Sequence, residues 1–177
     1  ARSVVALTQP IATHIRRIHP QARISVVPNM ADVKFYKPMA KDEALAQHYG
    51  VGGSFVVSYI GALGFANGLH YMLECARASQ KAALPITFIL CGDGAMRDAL
   101  QQHAATLALK NLLFVPFQNR EGVGRVMSIT DAVFISYKHL PVLETGCPNK
   151  YFDGLAAGKP IIINFEGWIK QEIEAEQ

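Results

Sequence analysis

From Phe55 onward the chain carries five short, continuous apolar runs, at residues 55–60, 86–91, 112–116, 132–136 and 161–164. Each is too short for a helix and lacks the alternation of a half-exposed strand. Such runs fit strands covered on both faces. Between them the apolar residues fall at helical spacing: Leu69, Met72, Leu73 and Ala76; Met96, Leu100, Ala104 and Leu107; Val123, Val126 and Met127. Strands that alternate with helices pair in parallel, with right-handed crossovers. The expected fold is therefore α/β, a doubly wound parallel Rossmann-like sheet. Ligands on such sheets bind beyond the carboxyl ends of the strands, near the switch in strand order. Function is expected in the loops after Ile60, Cys91, Pro116, Ser136 and Asn164.

The first 50 residues follow another plan. Residues 4–7 and 24–27 have the composition of short strands. Thr8 is placed to cap a helix with Pro10 in its first turn and Ile11, Ile15 and Ile18 as its apolar stripe. Arg16, Arg17 and His19 lie off that stripe, on a solvated face, where the arginine pair exerts at most a weak pull on anionic lipid. Residues 30–41 have no period and contain Pro38, so they form a connection. A short helix over 44–49 stops at Gly50, and Gly52-Gly53 breaks the chain. The boundary predicted here divides a segment 1–50 from a Rossmann-like domain 51–177.

Composition narrows the function. A formal net charge of +3 on 177 residues is too small to argue for nucleic acid, though it suits anionic ligands or weak attraction to an anionic membrane surface. Cys75, Cys91 and Cys147 form no C-x-x-C, so neither a zinc site nor a disulfide framework is expected, and a reducing cytoplasm is the default. The six histidines contain no H-E-x-x-H and no tight ligand pair, and carboxylates do not cluster, so no metal site is expected. No G-x-S-x-G elbow occurs. The chain begins almost inside a strand and without a signal peptide, which suggests a piece of something longer.

The stretch 145–160, TGCPNKYFDGLAAGKP, reads as a helix start, one helix and the turn into a strand. Pro148 suits the first helical position and Gly158 the stop. Lys150 in the first turn opposes the helix dipole unless an anion binds there, when free N–H groups and the ammonium both point at it. Asn149, Lys150 and Asp153 share one face. Asp153 lies about 4.5 Å further along the axis than Lys150, where a ribose attached to a bound phosphate can present its hydroxyls to the carboxylate. An ordinary amphipathic helix with a surface lysine has the same spacing. Gly61, Gly64 and Gly68, with Asn67 as a candidate cap, let backbone approach a phosphate after the first run, or simply let helix pack on strand. After the second run comes Gly92-Asp93-Gly94, with Asp93 placed to cap the next helix or to hold a ribose.

These segments together resemble the C-terminal, donor-binding half of a GT-B glycosyltransferase of family 4 (group 1), of the bacterial cell-envelope or O-antigen polysaccharide type. The resemblance runs the length of the chain. It rests on Val27-Pro28-Asn29-Met30-Ala31-Asp32 with Phe35 and Pro38, on Tyr59-Ile60-Gly61 through Gly64 to Gly68-Leu69, and on Gly92-Asp93-Gly94. Val115-Pro116-Phe117, Asp131-Ala132 and the segment from Pro148-Asn149-Lys150 through Asp153 to Gly158-Lys159-Pro160 complete it. It implies donor contacts from Gly61, Gly64, Gly92, Asp93, Phe117, Glu144, Pro148, Asn149, Lys150 and Asp153. It also implies a UDP-sugar donor, hexosyl or amino-deoxyhexosyl transfer to a polysaccharide or lipid-linked acceptor, and no cofactor or metal. On this reading segment 1–50 is interdomain, and the N-terminal acceptor domain, with the catalytic base, and the extreme C-terminus lie outside the chain. The fragment alone is then expected to be inactive, and the whole enzyme to work in the cytoplasm, at the inner face of the membrane.

Three departures stand out. The family's paired glutamates would fall at Thr145 and Asp153, with Glu144 one place off, and the ribose contact becomes an aspartate. The arginine and lysine that relatives use on the diphosphate would fall near Ala62 and Asn67, which leaves Lys150 as the main cation. Two other functions fit parts of the pattern: an NAD-type oxidoreductase domain, with Gly61 to Gly68 on pyrophosphate and Asp93 on ribose, and a non-enzymatic nucleotide- or partner-binding domain.

Overall fold

The computed structural model describes residues 3–175. Its central strand is β3 (Phe55–Ile60), in the five-stranded sheet that the apolar runs predict. The main sheet also contains β4 (Ile86–Cys91), β5 (Leu112–Val115), β6 (Ala132–Ile135) and β7 (Ile161–Ile163), all parallel, in the order β5-β4-β3-β6-β7. From β3 the chain first steps outward through β4 to β5, then returns to lay β6 and β7 on the other side. The switch in strand order therefore lies between β3 and β6, and the loops after these two strands border it.

Helices cover both faces, as buried strands require. On one face α3 (His70–Lys81) and α4 (Arg97–Thr106) bury Met72, Leu73 and Leu100 against Tyr59, Leu90 and Phe134. On the other, α2 (Glu43–His48) and α5 (Arg120–Ile129) bury Leu45, Val126 and Ile129 against Val56, Ile89 and Val115. A third cluster joins α6 (Asn149–Ala156) and α7 (Trp168–Ala175) through Tyr151 and Ile169 to Val133 and Ile135. α7 is a helix beyond those expected from the apolar spacing. Among the described residues no helix is long and apolar enough to cross a membrane.

The first segment builds a separate parallel pair, β1 (Val4–Ala6) with β2 (Ile24–Val26), joined by α1 (Gln9–Ile18). Thr8 accepts from the Ile11 amide and caps α1 as expected. The predicted stripe is shifted, however: Ala12 is buried and Ile18 is 56% exposed. The connection that follows is strapped onto the main domain. Asp32 pairs with Arg120, whose guanidinium lies 4.4 Å over the Phe35 ring, and Phe35 packs on the bare Cα of Gly124. Pro38 packs on Gly158, and Lys41 pairs with Asp131 at 3.0 Å. Asp131 also accepts the Val56 amide at 2.8 Å, so one carboxylate ties the strap to the start of β3.

Candidate functional site

The loop before α6 is held by its own backbone. Three successive carbonyls each accept a side-chain hydrogen bond: Thr145 from the Thr8 hydroxyl (2.8 Å), Gly146 from the Trp168 indole (2.7 Å) and Cys147 from the Asn29 amide (2.6 Å). The three donors come from α1's cap, from α7 and from the segment after β2. These bonds fix the backbone that leads into α6, whose first amides have no intrahelical acceptor and suit an anion. Pro148 is the helix cap rather than the first helical residue, so the helix starts one place later than predicted, Asn149 and Lys150 occupy its first turn, and Asn149 is exposed.

Lys150 turns back from that turn into the sheet. Its Nζ lies 4.5 Å from the centre of the Tyr59 ring and 3.5 Å from the Tyr59 hydroxyl. A Cβ on Gly61 would sit 3.4 Å from the lysine's Cε and Nζ, so glycine there leaves the slot open. Tyr59 is fully buried and donates to the Ala62 carbonyl (2.8 Å), which also accepts from the Asn67 amide (2.8 Å). Asn67 thus pins its own loop, and α3 starts without a side-chain cap, contrary to the capping role expected of it.

The glycine loops serve each other first. Gly92 and Gly94 have φ of +145° and +153°, and Cβ atoms there would meet the backbone oxygens of Gly61 and Leu63 at 2.0 and 2.6 Å. The Leu63 amide donates to the Asp93 carbonyl and the Met96 amide to the Leu63 carbonyl. These contacts delay α4 until Arg97, so Asp93 does not cap it; its carboxylate accepts the Gly94 amide instead. Beside this joint opens a cavity of ≈ 260 Å³, lined by Ile60, Gly61, Ala62, Cys91, Gly92, Asp93, Phe117, Gln118 and Val123. Phe117, at its rim, is 74% exposed, which leaves an aromatic face free for a flat ligand. A larger open hollow, ≈ 640 Å³, lies by Asp32, Phe35 and Arg120, but neither Gly61 nor Lys150 lines it.

Electrostatically the site is an unsatisfied one. Lys150 forms no ion pair with a described residue, and burial pushes its pKa down to about 8, against a small opposing pull from Asp153. Burial raises the Asp153 pKa, and the charges of Arg120 and Lys150 work against that rise. The Asp153 carboxylate makes no hydrogen bond to a described residue. Folding thus confines a cation that the unfolded chain solvates freely. Between about pH 8 and 10.5 the unfolded chain still holds the Lys150 proton while the folded domain has released it, so stability rises with pH across that window. Lys150→Met should abolish this rise and stabilise the free domain near pH 7 by up to about 3 kcal/mol, at 1.36 kcal/mol per pKa unit. Denaturation at pH 7, 8, 9 and 10 reads it; equal slopes in both proteins would contradict it.

Of the residues predicted for the site, Gly61, Gly92, Asp93 and Phe117 line one cavity, with Lys150 against Gly61 and Asp153 one helical turn beyond. Gly64 shares the Gly61 loop, where Asn67 approaches it, and buried Pro148 shapes the α6 start. Glu144 does not line the cavity: it sits in a tight turn, Leu143–Thr145, whose backbone packs on Gly167. Ala62, Gln118 and Val123 line the cavity in addition to the predicted residues, and Tyr59 places an aromatic floor under Lys150 that no local motif marks. Among the described residues no group of three or more His, Cys, Asp or Glu side chains could hold a metal ion.

No curated protein sequence matches the chain significantly. Solved structures do match in fold. HepE of Anabaena, crystallised with UDP and glucose, superposes with a TM-score of 0.73 at 24% identity, over 97% of this chain and 46% of its own. WaaG, a glycosyltransferase involved in lipopolysaccharide biosynthesis, gives 0.73 at 17% identity over 97% and 47%. The lipopolysaccharide outer core galactosyltransferase WaaB gives 0.68 at 18% over 96% and 45%. The chain spans about half the length of these relatives, and its fold is that of the Rossmann-like half of a GT-B glycosyltransferase. The family model for glycosyl transferases group 1 matches residues 41–177, so the chain belongs to that family.

Proposed function

We propose that this chain is the donor-binding half of a glycosyltransferase, and that it holds a UDP-sugar with the diphosphate at the α6 N-terminus and the ribose at Asp153. The carrying observation is Lys150: a confined ammonium that forms no ion pair with a described residue, between the first turn of α6 and the Gly61 turn. An anion supplied from outside completes it. The cavity beside Gly61 and the exposed Phe117 ring suit the nucleobase. HepE, which shares the fold, was crystallised with UDP and with UDP-glucose. In the whole enzyme the sugar passes to a cell-envelope polysaccharide or lipid-linked acceptor at the cytoplasmic membrane face. The catalytic base comes from outside this chain, which alone transfers nothing because its site cannot close and exclude water.

Thermal shifts across UDP, GDP, ADP and NAD test the reading. UDP is expected to stabilise the chain and NAD to leave it unchanged; stabilisation by NAD alone would favour the oxidoreductase alternative. Donor binding is also expected to be metal-independent, because the helix terminus and Lys150 supply the positive potential that a metal supplies elsewhere. UDP affinity should survive a chelator unchanged; restoration by magnesium after chelator-induced loss would contradict the electrostatic assignment. Asp153→Asn keeps the shape and loses the charged acceptor, so it should weaken uridine and UDP alike, by about tenfold. Calorimetry with both ligands reads that parallel loss, and an unchanged uridine affinity would remove the ribose role.

A further inference from the structure

His70 and His103 stand 33 positions apart in sequence and meet in space. His70 is the first residue of α3, and His103 lies in the last turn of α4. Their Nδ1 atoms are 2.9 Å apart, with ring centroids 5.1 Å apart and ring planes tilted by 46°. At that distance the two rings share one proton. The helices that carry them are fixed from behind, since Leu73 of α3 and Leu100 of α4 are fully buried in one core cluster. The ring pair faces solvent on the outside. Burial, with His103 and Lys138 nearby, pushes the His70 pKa below the ordinary imidazole value. Nothing in the proposed donor site uses either ring.

We propose that His70 and His103 form a two-point site for a divalent transition metal ion, Cu²⁺ or Ni²⁺, that bridges α3 and α4. Metal–imidazole bonds are about 2.0–2.1 Å long, so two nitrogens at right angles around one ion stand about 2.9 Å apart. The separation present thus matches neighbouring corners of a tetragonal or octahedral site, with water at the other positions. Binding needs only that the ring holding the shared proton carry it on Nε2 instead, and that both rings rotate until the Nδ1 lone pairs converge. Hard cations such as Mg²⁺ and Ca²⁺ prefer oxygen ligands and are excluded. The bridge would tie the start of α3, directly after the Gly61–Leu69 loop, to α4.

The test uses the untagged chain, stripped with chelator, and the metal salts themselves. Calorimetry should find one Ni²⁺ or Cu²⁺ per chain at this site, and each should raise Tm, because an ion that binds the folded state alone stabilises it. His70→Asn and His103→Asn should each weaken binding by at least about tenfold, since either leaves a single-point contact. Their metal-free Tm should stay close to the wild-type value, as neither ring is in the core. Paramagnetic resonance of the Cu²⁺ form should show coupling to two equivalent nitrogens in the wild type and one in either variant. Equal metal affinity in wild type and His103→Asn, or no binding to the wild type at about 1 mM, would overturn the proposal. So would a Mg²⁺ response as large as that of Ni²⁺.

Discussion

Gly92→Ala should cost the domain about 3–5 kcal/mol, a fall in Tm of roughly 10 °C. Two terms add. Gly92 sits at φ +145°, which an L side chain tolerates poorly, and the new Cβ would stand 2.0 Å from the Gly61 oxygen. Neither backbone can give way cheaply. The Gly61 amide donates to the Cys91 carbonyl at 2.9 Å, and the Gly92 amide to the Val115 carbonyl at 3.0 Å, so both extend the sheet ladder past the strand ends. Relief therefore means breaking those bonds or pushing the Gly61 turn away from Lys150. Gly53→Ala is the control: a Cβ there meets nothing within 4 Å, and φ is not in the left-handed region. It should change stability by less than about 0.5 kcal/mol. Thermal or urea denaturation of both variants decides, and similar losses in the two would contradict the backbone-contact argument.

Lys150→Ala should weaken UDP binding by about tenfold or more while changing uridine affinity far less. A charge-assisted hydrogen bond contributes about 1.5–3 kcal/mol, and about 1.4 kcal/mol is a factor of ten. Lys150 is expected to meet only the diphosphate, which uridine lacks. The free variant should be no less stable than wild type, because removing a confined cation from a helix N-terminus relieves both burial and the dipole. This combination separates a binding lysine from a packing one: a packing lysine would lose stability and leave both ligands alike. Calorimetric titration of the variant with both ligands reads it, and equal UDP affinity in the two proteins would contradict the donor-site assignment.

The sheet was legible because burial on both faces writes itself as continuous apolar runs, and all five expected strands form within a residue of the expected bounds. Gly158 was legible too, since a helix stop in the left-handed region, here φ +67°, is local chemistry. What sequence could not supply was long-range pairing. Asn29 matters through a hydrogen bond to Cys147 that spans 118 positions, and His70 reaches His103 across 33. Asp93 has the side chain of a cap, yet the contacts of Leu63 with Asp93 and Met96 hold the chain out of helix until Arg97. The α7 helix has polar and charged residues at Lys170, Gln171, Glu172 and Glu174, so only a short apolar pattern marks it. Lys150 was visible as a cation at the wrong helix end. Its aromatic floor was not, because Tyr59 is 91 positions away.

A crystal structure of this chain with UDP tests the central claim most directly. The account predicts diphosphate oxygens within hydrogen-bond reach, about 2.7–3.2 Å, of Lys150 Nζ and the first amides of α6, with the ribose hydroxyls at Asp153. The base should lie against Phe117 in the cavity beside Gly61. A nucleotide bound elsewhere on the chain, or bound here with the Lys150 ammonium still turned onto Tyr59 and away from the phosphates, would contradict it.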